Sequence, residues 1–316
     1  MKFSVLIPAY NASKTIESTL NSVLGQSYYP FEILVMDDGS TDGTLSMLRS
    51  YEPRIKVYHQ ENRGLSASRN FLCRIASGET IAFLDSDDIW HPKYLEAQEK
   101  VISSNPRAVA TFTGHLDFHG LGEYKWNSAP ADSRVLGEQI EPVDFFRQYN
   151  KMPGLFLPSY CCVPKRVLED VGPEPFHPNL KITQDCYFFC ILALKGSVVR
   201  IPNKLVAYRI SASSLSQDKL TTFSDVLLAF DLIKNAYEQN ASPALRNAYN
   251  AALASKMRFY AKVLVGLGES RKARKVLIRS IAACGDILSI AKSSYLIVAA
   301  MTFPNMFKRH WIQRYR

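Results

Sequence analysis

The sequence predicts an α/β protein: a Rossmann-like, mostly parallel sheet flanked by helices, followed by a helical C-terminal region. Two observations carry that prediction. Over the first 110 residues, short apolar runs of strand type alternate with helix-period segments, at a spacing that calls for right-handed crossovers. From Ser224 onward the periodicity is helical to the end. The chain has 316 residues, 47% of them apolar and 21% charged, which allows one large or two modest domains with a true core. That composition excludes a disordered, collagenous or coiled-coil chain.

Taken in order, Val5-Leu6-Ile7 is a buried strand closed by Pro8. Ser13 is placed to cap a helix whose Ile16, Leu20, Val23 and Leu24 share a face and which Gly25 ends. Ile33-Leu34-Val35-Met36 is the second strand, running into the turn Asp37-Asp38-Gly39-Ser40-Thr41-Asp42-Gly43 and a short helix. Ile55 to Tyr58 is the third strand, Leu65 to Ala76 a helix stopped near Gly78, and Thr80 to Leu84 the fourth strand. Pro92 opens a further helix that Asn105-Pro106 closes. Residues 114–160 are rich in Gly, Pro and polar side chains and read as a loop-rich insertion. A helix around Ile182 to Leu194 and a strand near Val198 to Ile201 follow. In the C-terminal region, Val226, Phe230, Ile233 and Tyr237, then Leu245, Tyr249, Leu253, Tyr260 and Leu264, repeat at helical spacing.

Charge and cysteine content narrow the function. Net charge is +9, yet residues 256–316 hold thirteen Lys and Arg against only Glu269 and Asp286, so the main body is near neutral. No basic stripe crosses that body, which argues against a nucleic-acid partner. The six cysteines form no CxxC pair, and the chain starts directly into a strand without a signal-peptide pattern; the expectation is reduced thiols in a cytoplasmic protein.

Ligands of open α/β sheets bind beyond the carboxyl ends of the strands. Three such loops should converge: Pro8-Ala9-Tyr10-Asn11, Asp37-Asp38-Gly39-Ser40 and Asp85-Ser86-Asp87-Asp88. Neither GxGxxG nor GxxxxGK[ST] is present, so no Gly-rich cradle holds phosphate. Five carboxylates in two clusters repel an anion unless a hard divalent cation intervenes, and carboxylate oxygens suit Mg²⁺ or Mn²⁺. A pyrophosphate ester bridged by metal to an Asp-x-Asp meets both conditions. Tyr10 offers a ring for a nucleobase, or is a core residue, and a lone Asp-Gly-Ser is more often a turn than a site.

Those segments, together with Asn62-Arg63-Gly64-Leu65-Ser66-Ala67-Ser68-Arg69-Asn70, resemble the family 2 glycosyltransferases, inverting enzymes of the A-type fold. The likeness is dense over residues 3–110 and weaker to about Ser216. It implies a catalytic domain over 1–218, with a nucleotide-binding half at 1–110 and an acceptor half at 111–218, and a helical region at 219–316. It further implies that Pro8, Ala9 and Tyr10 line the nucleotide pocket, that Asp38 binds the base, typically uracil, and that Arg69 lies near the ribose or diphosphate. Asp85 and Ser86 would contact the nucleoside and Asp87 would face the metal, Mn²⁺ or Mg²⁺. Asp185 takes the place of the general base, with Gln184 where the family usually has Glu and Ile191-Leu192 where Arg-Leu is frequent. Tyr208-Arg209 with Ser214 resembles the segment that closes over the donor. The implied activity is transfer from a nucleoside-diphosphate sugar, UDP-linked by expectation, to a glycan or lipid-linked acceptor in cell-surface polysaccharide synthesis. A silent sugar-nucleotide-binding scaffold and a sugar nucleotidyltransferase are the alternatives. The second usually carries a Gly-rich basic loop after its first strand, which Pro8-Ala9-Tyr10-Asn11 is not.

At the C-terminus, Ser270 is placed to cap a helix with Arg271, Lys272, Arg274, Lys275 and Arg279 on one side and Val276, Leu277 and Ile281 on the other. Ile287 to Phe303 is largely apolar but interrupted by Lys292, and is shorter than the ~20 residues that span a bilayer. The expectation is a basic amphipathic surface peripheral to the anionic inner face of the cell membrane, against a helical subdomain with an ordinary solvated face.

Overall fold

The computed structural model describes residues 1–122, 124–126, 137–151, 156–210, 219–237, 241–283 and 291–296. Two compact units emerge, residues 1–141 with 154–214 and residues 142–153 with 215–316.

The first unit opens with β1 (Phe3–Ala9), α1 (Ile16–Leu24), β2 (Glu32–Asp38), α2 (Thr44–Ser50), β3 (Lys56–Gln60), α3 (Leu65–Ile75) and β4 (Thr80–Phe83). The four strands are parallel in the order β3-β2-β1-β4, with Ile7 opposite Val35 and Val5 opposite Ala82. β1 lies between β2 and β4 and every one of its residues is buried, so it reads as one apolar run rather than an alternation. Val5, Ile7, Ile33, Val35, Leu20 and Val23 share one core with Trp90 and Tyr94, whose rings stack at 4.1 Å.

The chain continues with β5 (Ile89–Trp90), α4 (Tyr94–Ser104), β6 (Ala110–Phe118) and β7 (Glu138–Ile140); α5 (Pro142–Lys151) belongs to the second unit. A 3₁₀ turn at Pro158–Tyr160 precedes β8 (Cys161–Pro164), α6 (Lys165–Val171), α7 (Gln184–Lys195) and β9 (Val198–Arg209). β8 runs antiparallel to β4 and to β6, while β6 and β9 are parallel. Of the nine strands among the described residues, six therefore point one way, and β5, β7 and β8 run against them.

Three expectations need correction. α1 begins at Ile16 with Thr15, not Ser13, in the capping position. The Ser13 N–H donates instead to Asp42 Oδ2 at 3.2 Å, and the Thr15 hydroxyl donates to the Ser86 carbonyl at 3.0 Å, so this segment ties loops together before the helix starts. Residues 114–160 are not simply loop: β6 runs to Phe118, and β7, α5 and the 3₁₀ turn follow. The polar composition of β6 is overridden because β9 pairs with it in parallel from Ala110 to Phe118, with an irregularity at Gly114. Lastly, Ser270 is the first helical residue of its helix rather than the cap, since Ala273 N–H bonds to the Glu269 carbonyl at 3.0 Å.

The second unit contains α5, α8 (Lys219–Tyr237), α9 (Pro243–Gly266) and α10 (Ser270–Ala283). Ser242 caps α9 by accepting from the Leu245 N–H at 3.2 Å, with Pro243 in the first helical turn. Phe230, Ile233, Tyr249 and Leu264 are buried as their spacing predicts, and the Tyr249 ring meets Phe230 at 5.2 Å and Phe146 at 5.6 Å. Only 291–296 of the apolar stretch 287–303 is described. No helix among the described residues is long and apolar enough to cross a membrane.

Candidate active site

The loops after β1, β2 and β4 converge as expected, and hydrogen bonds show how. Asn11, at φ 48°, turns the chain after β1 in a conformation that Asn tolerates. Its N–H donates to Ser40 Oγ at 2.9 Å, and its Oδ1 accepts from the Thr41 N–H at 2.8 Å, stitching the first loop to the second. Gly39 at φ 73° is required here twice over, because a Cβ would lie 2.6 Å from the Asn62 nitrogen. Pro8 and Ala9 are buried at the end of β1, opposite Met36 and Asp37, whereas Tyr10 is half exposed.

Asp38 is buried at the end of β2 and fully engaged. It accepts from Gln60 Nε2 at 2.6 Å, from the Arg63 N–H at 2.9 Å and from the Gly64 N–H at 2.8 Å. It thereby fixes the entry to α3 and gives this side of the crevice its shape. Neighbouring Asp37 faces the other way and holds His59 Nδ1 at 2.7 Å.

Arg69, on α3, is 2% exposed. Its guanidinium pairs with Asp85 and lies 5.3 Å from the centre of the Phe176 ring. The side chain thus reaches the strand-end acids from beneath. The Asp85 N–H is in turn held by Ser159 Oγ at 3.0 Å. Arg209, at the end of β9, anchors the other half of the acidic turn. Its backbone N–H donates to Asp88 Oδ1 at 2.9 Å and its Nε–H to the Asp87 carbonyl at 2.7 Å, while its remaining donors bond the carbonyls of Gly120 and Gly122 and Ser18 Oγ. Phe118 covers the guanidinium face at 4.4 Å.

This packing decides the electrostatics. Burial, then the charge of Asp85, pushes the Asp87 carboxyl up to about 6, with Arg209 opposing. Asp88 is raised further by burial, then by Asp87 and Asp85. At the head of α7, burial pushes Asp185 up to about 6 against the pull of Arg69, and the Cys186 N–H donates to its Oδ1 at 2.7 Å. Tyr208 is raised by burial and then by the fields of Asp88, Asp85, Asp87 and Asp185. Four acids, three from the turn after β4 and one from α7, therefore share one crevice with two buried arginines. Gln184 is buried, with its Oε1 accepting from the Asp185 N–H at 3.2 Å, and Ile191 and Leu192 pack inward.

The donor set suits a hard divalent cation. Asp87 carries a carboxylate whose charge is poorly compensated by the protein, and a cation would relieve it. Among the described residues no group of three or more His, Cys, Asp or Glu is placed to hold a metal ion by itself. One or two carboxylates, with water and a ligand's phosphate oxygens completing the shell, is the arrangement Mg²⁺ favours.

Several residues that build the site are absent from the reading of the motifs. Ser159, which holds the Asp85 N–H, lies inside the stretch that reads as loop. Phe176 carries no pattern of its own. Arg209 was seen only as part of a segment, although a lone Arg ending an apolar strand is a signal that it meets buried acids.

Comparison with known proteins agrees with this geometry. The family described as Glycosyl transferase family 2 matches residues 4–169. The UDP-Glc:alpha-D-GlcNAc-diphosphoundecaprenol beta-1,3-glucosyltransferase WfgD of Escherichia coli is 43% identical over 239 residues, 74% of this chain and 86% of that protein. An uncharacterized glycosyltransferase of Rickettsia conorii is 30% identical over 256 residues, 80% of this chain, but the chain spans only 40% of its length. S. aureus TarS 1–349 in complex with UDP-GlcNAc superposes with a TM-score of 0.70 at 19% identity, covering 99% of this chain and 92% of that one. The mannosyltransferase PcManGT from Pyrobaculum calidifontis, in complex with GDP-Man and Mn²⁺, gives 0.56 at 20% identity over 99% and 84%. At these identities the structures speak to the fold, which is the A-type glycosyltransferase architecture. The chain belongs to glycosyl transferase family 2.

Proposed function

We propose that this chain transfers a sugar, with inversion, from a UDP-sugar to a hydroxyl of a lipid-linked glycan during cell-surface polysaccharide synthesis. The observation that supports the reading is that Asp185, at the head of α7, lies within the electrostatic reach of Arg69 and Asp85, and Asp85 in turn acts on Asp87. The UDP-GlcNAc complex of TarS and the activity for which WfgD is named support the donor and acceptor classes.

In this reading Pro8, Ala9 and half-exposed Tyr10 line the nucleotide pocket, Asp38 meets the base, and Asp85 and Ser86 contact the nucleoside. Arg69 acts mainly through Asp85. Asp87 would hold Mn²⁺ or Mg²⁺, which when bound neutralises charge on the departing diphosphate. Asp185 takes the proton from the acceptor hydroxyl as that oxygen bonds to the anomeric carbon. The carbon–oxygen bond to the diphosphate breaks on the opposite face, its electron pair leaving on the phosphate oxygen, so no covalent enzyme intermediate forms. A carboxyl near 6 is still mostly ionised at neutral pH and more basic than an ordinary Asp, which favours general-base work, worth roughly 10²–10⁴-fold. The lipid-diphosphate acceptor named for WfgD, together with the basic C-terminal region, supports a site of action at the cytoplasmic face of the membrane.

The test is transfer from UDP-glucose or UDP-GlcNAc to a polyprenyl-diphosphate-linked sugar with Mn²⁺. Turnover by the wild type, lost in Asp185→Asn with UDP binding retained, is the expected result. Binding without transfer or slow donor hydrolysis would refute catalysis and leave the silent scaffold.

A further inference from the structure

We infer that the outer stripe of α10 docks on the anionic phospholipid headgroups of a bilayer, an inference that rests on the membrane placement proposed above. One face of α10 is spoken for. Ala273 and Leu277 pack with Ala261, Leu264 and Val265, and the buried Ser280 hydroxyl bonds to Ser293 Oγ at 2.9 Å. The opposite face carries Arg271, Arg274, Lys275, Ile278 and Ala282, all exposed and spaced i, i+3, i+4, i+7 and i+11, which places them in one stripe.

The charges on this stripe differ from their neighbours. Lys272 meets Glu269 at 3.3 Å and Arg279 meets Asp231 at 3.1 Å. Among the described residues no acid pairs with Arg271, Arg274 or Lys275, which lie three and four residues apart and repel one another. Arg271 and Arg274 also occupy the start of the helix, where the macrodipole disfavours cations. The stripe therefore works against the helix that carries it, and no acid among the described residues supplies its counter-charge. Ile278 stands among these cations at 55% exposure. A free polyanion would satisfy the cations and leave Ile278 in water, whereas a headgroup layer offers anions with apolar depth beneath them.

The full-length protein is sedimented with phosphatidylcholine vesicles lacking or containing phosphatidylglycerol, and with soluble polyphosphate as competitor. Binding should require the anionic lipid and weaken with salt. Arg271→Ala/Arg274→Ala/Lys275→Ala should lower partitioning about 100-fold, at roughly fivefold per cation. Ile278→Ser should lower vesicle binding severalfold and leave polyphosphate binding unchanged. An Arg49→Ala/Lys100→Ala control on the first unit should sediment like wild type. The inference is overturned if the triple variant sediments like wild type, if neutral vesicles bind equally, or if polyphosphate binds and vesicles do not. UDP calorimetry on the same preparations separates the two claims: the triple variant should keep full UDP affinity, and failure of the wild type to bind UDP would refute the catalytic reading while leaving the sedimentation result to decide docking.

Discussion

Replacing Arg69 by Met keeps an unbranched apolar side chain in its buried place and removes the guanidinium that pairs with Asp85, lies against Phe176 and acts on Asp185. Breaking a buried ion pair from one side costs about 3–5 kcal/mol. The Asp85 side chain is 31% exposed, so water recovers part of this, and about 2–3 kcal/mol remains. In a unit of this size each kcal/mol moves the melting temperature by about 2–4 °C, so Arg69→Met should melt about 4–12 °C below wild type. A second readout is chemical. Without the cation the neutral form of Asp185 is favoured, so the acid limb of the rate profile should move to higher pH. Adding Asp85→Asn to the variant removes the stranded charge and should restore much of the stability. Differential scanning fluorimetry and a pH–rate profile measure both effects. Melting within about 1 °C of wild type, with an unmoved acid limb, would refute the coupling of α3 to the acids.

Further outcomes follow from the same geometry. Activity should rise with pH through about 6 and level above it, since Asp185 works only when ionised, and Asp185→Asn should cost roughly 10²–10⁴-fold in kcat. Asp88 binds a proton more tightly folded than unfolded, so its contribution to stability is present at low pH and lost as pH rises toward its raised pKa. Asp88→Asn keeps an acceptor for the Arg209 N–H, so its melting temperature should gain on wild type between pH 4 and 8. Asp38→Ala frees the Arg63 and Gly64 N–H groups; about 2–4 kcal/mol of stability and faster amide exchange at the start of α3 should follow, read by hydrogen exchange.

Much of this architecture was legible because it is local. The parallel half of the sheet follows from runs such as Ile33–Met36 closed by turn residues, and the convergence of its loops follows from strand direction alone. The misreadings are non-local. β6 is strand because β9, about ninety residues later in the chain, supplies its partner, and nothing within 114–118 announces that. Ser13 looks like a cap until Asp42 takes its N–H. At the site, the acids were visible as motifs. Arg69 was visible too, as a ribose or diphosphate contact, but its pairing with Asp85, 16 residues on, and the anchoring of the acidic turn by Arg209, more than 120 residues away, were not. The burial that raises Asp87 and Asp185 likewise depends on tertiary packing that spacing does not encode.

The most direct test of the account is isothermal calorimetry of UDP binding with and without Mn²⁺, on wild type and Asp87→Ala. The account predicts binding by wild type that strengthens with Mn²⁺ and a variant in which that gain is lost. Equal UDP affinity in both proteins with and without the metal, or no UDP binding at all, would contradict it.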